Sequence, residues 1–407
     1  LSDTLGNPLE GVRILELGQI IAGTYGCQVL TDLGAEVIKI EPPHGDLGRN
    51  PSVAPYKGAS GLFLTFNRNK KSVVIDLKTD EGRELFYDLV RLSDVVIDNF
   101  RSGVLKRLKV DYKNLKKINP RIIQCTVTGF GTEGVYKDFP AWDITIQAIS
   151  GHMSITGEKD GAPVRLGAPF ADLSGGIFSC KAILAALFDR ERNGKGRYIE
   201  LSMFDAMLNL MTYIGTMYLT NGEVPQRMGS EHEYTVPWGA FAASDGFVVI
   251  ATRQEIFWQK LCEVMEQPDL ADDERFATNS KRVENGQLLI PIIKEIFAQR
   301  TVDDWVKALR AADVPASPLN TLDAAFAEPP VAERNMIVEY DHPEVGKVRL
   351  PGNPIKMTGL SEVISSPAPL LGEHTDKVLS ELLNLSAGQL KDLHSKGVIK
   401  KSRGCPR

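Results

Sequence analysis

Short apolar runs alternate with helical patterns over the first 200 residues. "GVRILELG" (11–18) reads as a strand, "TYGCQVLTDLGA" (24–35) as a helix and "EVIKIE" (36–41) as a second strand. "KSVVIDL" (71–77) repeats the strand pattern and the helical "TDEGRELFYDLVRL" (79–92) follows it. "DVVIDNF" (94–100) and, after two short helical pieces, "RIIQCTVTGF" (121–130) add two more strands. Strands so uniformly apolar are covered on both faces, which predicts an α/β layer around a parallel sheet. Further on, "LSGGIFSCKAILAALF" (173–188) reads as a buried helix. The chain carries no fixed-period repeat.

The pattern changes near residue 221. "NGEVPQRMGSEHEYTVPWG" (221–239) is rich in polar and turn residues and reads as a linker into a second unit. That unit holds the strand "GFVVIAT" (246–252) and helices around 254–265, 286–299 and 301–312. "VEYDHPEVGKVRLPGNPIKM" (338–357) reads as two strands around a turn, and two helical stretches close the chain, "GEHTDKVLSELLN" (372–384) the clearer. The expected division is a large α/β domain begun by residues 1–220, linkers and a smaller α+β domain over 221–334, and a return to the large domain over 335–407.

A chain of 407 residues with 43% hydrophobic and 24% charged residues buries its core without disulfide staples. The net charge of −5, without a long basic block, argues against a nucleic-acid partner or an anionic membrane surface. Cysteines 27, 125, 180, 262 and 405 form no close pair, so no CxxC signature arises, and a reducing cytoplasm suits them. No run approaches eighteen consecutive apolar residues, so no membrane-spanning helix is expected. The first residue is Leu rather than Met, which leaves open a leader removed from the start.

Several stretches carry candidate chemistry. In "GAPFADLSGG" (167–176), Asp172 reads either as the cap of the helix that follows or as a nucleophile held at that helix's N-terminus. Gly18, Gly23 and Gly26 in "LELGQIIAGTYG" serve phosphate approach or tight strand–helix packing; the spacing is not GxGxxG. Arg68, Lys70 and Lys71 in "NRNKKS", with Lys78 and Arg107, read either as phosphate partners or as a solvated basic face. Six scattered histidines show no HExxH spacing, so no metal is assigned, and there is no GxSxG nucleophile elbow.

Taken in order, "LEGVRILELGQIIAG", "DLGAEVIKIEPPHGD", "FNRNKKSVVIDLK", "DVVIDNFRSGVLKRL", "GAPFADLSGG", "NGKGRYIELSMFDAM" and "PLLGEHT" resemble the class III CoA-transferases over nearly the whole chain. That group includes formyl-CoA transferase and carnitine CoA-transferase. The resemblance implies an enzyme of EC 2.8.3 type with no tightly bound cofactor, whose substrates are a coenzyme A thioester and an organic acid. It implies a Rossmann-like large domain built from both chain ends, a smaller domain, and two subunits threaded through each other. The dimer joins two copies of this chain or this chain and a related one. It puts the nucleophile on Asp172 and CoA contacts on Gln19, Ile20, Ile75, Lys78, Asn99, Phe100 and Arg107. An aspartate of ordinary pKa, about 3.9, needs no helper base at neutral pH. Gly175 and Gly176 would let backbone N–H donors approach the oxyanion.

The chain departs from the pattern at Pro42, where the family often has Arg. "SEHEYTVPWGAF" (230–241) stands where formyl-CoA transferases carry a run of glycines, and points to a succinyl-CoA branch. Arg165, seven positions before Asp172, reads as a partner for a distal carboxylate or as a loop bridge. His232 is a further candidate for the same contact, and Trp142 is a third residue expected at the substrate. Two alternatives remain. An α-methylacyl-CoA racemase of the same fold uses a His–Asp pair where this chain has Trp142–Asp143, and Trp142 has no nitrogen that titrates near neutral pH. A non-catalytic acyl-CoA-binding subunit is the other.

Overall fold

The computed structural model describes residues 6–361, 364 and 366–401. Its contacts divide into two compact units, one of residues 1–152, 165–222 and 330–407, the other of 153–164 and 223–329.

The larger unit is built on a seven-stranded sheet. Six strands run parallel: Arg13–Glu16, Glu36–Glu41, Lys70–Ile75, Val95–Asp98, Ile123–Thr128 and Tyr198–Ser202. Numbered by appearance, their order across the sheet is 3-2-1-4-5-6, the doubly wound order. The two-residue strand Ile399–Lys400 closes one edge, antiparallel to Lys70–Ile75. Successive residues feed opposite faces, as a period of two requires. Ile14, Val37, Val95 and Ile97 enter one core with helices Ala22–Thr31 and Phe170–Asn193. Leu15, Ile38, Val73 and Val96 enter the other with helices Asp80–Arg91 and Thr375–Leu383.

Glycines bring the first two helices together. A Cβ at Gly26 would stand 2.3 Å from Ser179 Oγ, and one at Gly176 would stand 3.0 Å from Gly26 N. The close-packing reading of Gly26 therefore holds, although the neighbour is a helix rather than a strand. Gly175 is filled likewise by Met203 and Val127, so 175 and 176 are packing positions, not places where an oxyanion approaches. Helix Phe170–Asn193 has the length and apolarity of a membrane span, yet half of its most apolar window is buried inside the protein, as for a core helix.

In the smaller unit, strands Trp238–Ala242, Phe247–Ala251 and Ala316–Pro318 form an antiparallel sheet. Helices Glu255–Val264, Gly286–Phe297 and Val302–Ala311 pack around Trp258, Phe297 and Trp305.

The cations of "NRNKKS" are neither a solvated face nor free for phosphate. Lys70 is fully buried, with its Nζ 2.7 Å from Glu16 Oε2 and 2.9 Å from Thr24 O. Arg68 pairs with Asp32 at 2.6 Å and Lys71 with Glu36 at 2.5 Å. The parallel register places Glu16 beside Lys39 and Lys39 beside Ser72, so a row of buried polar groups crosses three strands. Cys27, Cys125, Cys180 and Cys262 are free and buried; Cys405 lies outside the described residues.

Candidate active site

A doubly wound sheet opens a crevice where strand order reverses, beyond the carboxyl ends of the strands on either side. Here those strands are Arg13–Glu16 and Val95–Asp98, and the residues just past them clasp each other. Gln19 N donates to Asn99 Oδ1 and Asn99 Nδ2 donates to Gln19 O, both at 2.8 Å. A cavity of about 320 Å³ opens here, lined by Gln19, Ile20, Asn99 and Phe100, by Thr128 at the end of the fifth strand, and by Trp142 and Asp172. A second cavity of about 480 Å³ lies over the ends of the first three strands, lined by Gln19, Ile75, Lys78, Phe100 and Arg107. Gln19 and Phe100 belong to both. The seven positions expected to contact CoA and Asp172 thus line two cavities with a common wall. Neither Lys78 nor Arg107 has a side-chain ion pair or hydrogen bond to a described residue.

Asp172 does not cap its helix. The helix begins at Phe170 after Pro169, which leaves Asp172 inside the first turn. The cap comes from a residue 29 positions earlier. Asp143 Oδ1 accepts from Ala171 N at 2.8 Å and from Asp172 N at 3.3 Å. Asp143 is itself held, since Gln147 Nε2 donates to its Oδ2 at 2.6 Å and Gln147 Oε1 accepts from Leu166 N at 2.9 Å. Phe170 N and Leu173 N find the carbonyls of Ala168 and Pro169. All four first-turn donors are engaged, so none is left for a substrate oxyanion.

Burial, and after it the charge of Asp143, push the Asp172 carboxyl up to about 7. The helix N-terminus favours the anion, but desolvation outweighs it. The expectation of an ordinary carboxylate is therefore corrected: near neutral pH, Asp172 is divided between its two protonation states. Asp98, fully buried under the Asn99–Phe100 step, is likewise raised to about 7 by burial.

Trp142, 60% exposed, precedes helix Asp143–Ile149 and lines the Asp172 cavity. The Arg165 guanidinium bridges its own loop, donating to Leu166 O at 3.1 Å and Gly167 O at 2.9 Å, and Arg165 is not among the cavity-lining residues. His232 lies in the smaller unit, with its Nδ1 accepting from Tyr234 N and its ring 5.2 Å from that of Trp238. Sequence reasoning passed over Arg101 and Lys137, the cations that do line the Asp172 cavity. Asp143 enters the sequence reading only as half of the Trp142–Asp143 pair. No group of three or more described His, Cys, Asp or Glu residues is arranged to hold a metal ion.

The family model for CoA-transferase family III matches residues 9–375. The chain belongs to that family. Succinyl-CoA:glutarate CoA-transferase from Mus musculus is 36% identical to this CoA-transferase over 96% of this chain and 90% of its own length. Acetyl-CoA:oxalate CoA-transferase from Acetobacter aceti is 39% identical over 90% of this chain and 93% of its own. The crystal structure of a CAIB/BAIF family protein from Brucella suis superposes with a TM-score of 0.83 at 38% identity, covering 93% of this chain and all of that one.

Proposed function

We propose that this CoA-transferase moves CoA from succinyl-CoA, or another dicarboxyl-CoA, to a free organic acid through covalent intermediates on Asp172. The observation that carries the proposal is the half-buried Asp172 carboxyl in the wall of the switch-point cavity, its own backbone tied down by Asp143. An Asp172 oxygen attacks the donor thioester carbonyl and expels CoA thiolate, leaving a mixed anhydride. The thiolate then attacks the aspartyl carbonyl and releases the donor acid, which leaves an aspartyl-CoA thioester. The acceptor carboxylate attacks that thioester and expels the thiolate again. The thiolate finally takes the acceptor's acyl group, and Asp172 is free. The thioester's energy is kept only if water is excluded, because each intermediate hydrolyses.

Each step passes through an oxyanion, and the helix supplies no donor for it. Gln19 fits that task. Asn99 occupies its backbone, and its carboxamide, on the wall shared by both cavities, has no partner among the described residues. Lys78 and Arg107 fit the CoA phosphates over the second cavity. Truncating either to Met costs about 1.5–3 kcal/mol of CoA binding. Calorimetry with free CoA reads this as a Kd rising roughly tenfold to a hundredfold, and unchanged affinity in both variants removes them from the phosphate site. The working assembly is an interlocked dimer, of two such chains or of this chain with a related one, in the cytoplasm.

The mouse relative is named for succinyl-CoA and glutarate, the Acetobacter relative for acetyl-CoA and oxalate. Both named acceptors are dicarboxylic acids, so the donor is the open choice. The test is a panel of succinyl-, acetyl-, butyryl- and formyl-CoA against glutarate. Succinyl-CoA is expected to lead in kcat/KM. A lead by acetyl- or butyryl-CoA sinks the dicarboxyl donor and leaves transfer standing; transfer from none sinks the whole proposal.

A further inference from the structure

Ile20 lines the Asp172 cavity with its backbone in the left-handed region, φ +64°. A β-branched residue seldom stays there, because its Cβ crowds the backbone, unless its surroundings fix it. Gln19, whose carboxamide has no partner among the described residues, stands one position before it. The clasp with Asn99 fixes only Gln19. A second clamp fixes Ile20: its N–H donates to Asp46 Oδ1 at 3.1 Å, 26 residues along the chain.

The same oxygen accepts from Gly48 N at 2.7 Å, and Gly48 backs onto Ile20, where a Cβ would come within 3.4 Å of the Ile20 Cα. The other oxygen of Asp46 lies 2.8 Å from Lys39 Nζ, which also reaches Glu16 Oε1 and Gly18 O, each at 2.7 Å. Asp46 N donates to Glu41 Oε2, and Glu41 is held by Arg49 and Ser72. Asp46, Lys39, Glu16 and Glu41 are all at least 95% buried. Asp46 lines neither cavity.

We infer that Asp46 is a positioning residue for the transfer reaction, one oxygen fixing the Gln19–Ile20 step against the cavity while Lys39 fixes Asp46 through the other. The inference rests on the transferase reading of this site. It assigns a task to the "HGD" of the "EPPHGD" stretch that the resemblance alone does not: the carboxylate sets the shape of a wall it does not reach. An error of about 1 Å in such a wall costs on the order of a hundredfold in rate when it carries a transition-state donor.

The two oxygens allow a crossed test on the full-length chain. Asp46→Asn keeps an acceptor for Ile20 N and discards the charge facing Lys39. Asp46→Glu keeps the charge and displaces the acceptor. With the best donor of the panel, at a temperature well below each variant's unfolding midpoint, Asp46→Asn is expected to lose less than about threefold in kcat and Asp46→Glu more than about tenfold, with KM moving less than kcat. A merely structural Asp46 gives losses that track the unfolding midpoints instead. Any other ranking, or wild-type kcat in Asp46→Glu, overturns the inference. Asp46→Ala replaces Asp46→Glu if the latter does not fold, with the same expected and overturning results. Hydrogen exchange at the Ile20 amide separates this inference from the functional reading. Exchange is expected to be slow in the wild type and Asp46→Asn and at least about tenfold faster in Asp46→Glu, whether or not the chain transfers CoA. Equal exchange in all three refutes the clamp.

Discussion

Asp172→Ala is expected to lower kcat for CoA transfer by on the order of 10⁴-fold or more, the range for removal of a covalent nucleophile. Affinity for free CoA should stay within about threefold, because the phosphate contacts proposed at Lys78 and Arg107 lie over the other cavity. The fold should survive: Asp172 makes no side-chain cap, and the Asp143 bonds that secure the helix end go to backbone N–H groups, which alanine keeps. Steady-state transfer and calorimetry read both halves. Intact-protein mass adds an independent one, since the wild type mixed with donor should carry a CoA adduct that Asp172→Ala lacks. Transfer at a wild-type rate by the variant removes Asp172 from the mechanism. An adduct on the wild type also decides against the racemase and the non-catalytic subunit, neither of which has a reason to hold CoA covalently.

Five parallel strands were legible because each is buried on both faces and reads as an apolar run, from "RILE" to "IQCTVT". The sixth, Tyr198–Ser202, was not. Its alternating, partly exposed "YIELS" is the pattern of an edge strand, and in sequence it merges with the basic turn before it. Trp238–Ala242, whose first two residues end the stretch read as a linker, was missed for a similar reason, since three of its five residues are not buried. The positions that line the cavities came from matched motifs, not from periodicity. What held them in place stayed hidden. A lysine in "NRNKKS" carries no sign that its partner is Glu16, 54 residues earlier. The cap on the Asp172 helix could not be read from the helix's own sequence, because Asp143 supplies it from another helix. Asp46 is legible only once the backbone of Ile20 is known. In each case a burial cost is met by a group distant along the chain, and local pattern has no access to such pairings.

The kcat/KM of transfer is expected to fall as pH drops through about 7, approaching tenfold per pH unit below it, because only ionised Asp172 attacks the donor. Asp98 also stands near 7, so the limb alone does not assign the group. Asp143→Asn does. The negative charge of Asp143 is the second cause of the Asp172 shift, after burial, and removing it favours the Asp172 anion. The acid limb should move to lower pH, staying above the ordinary carboxylate range because burial remains. A limb that stays in place belongs to another group. Thermal unfolding offers a check without catalysis. The folded pKa of Asp172 lies above its unfolded value of about 3.9, so its contribution to stability is present below pH 4 and lost as pH rises through about 7. Asp172→Asn suffers no such loss, and Asp98 is common to both proteins. The midpoint of Asp172→Asn minus that of the wild type should therefore grow from pH 4 to pH 8. A difference that is flat across that window shows that Asp172 titrates in its ordinary range, and the acid limb then has to be assigned elsewhere.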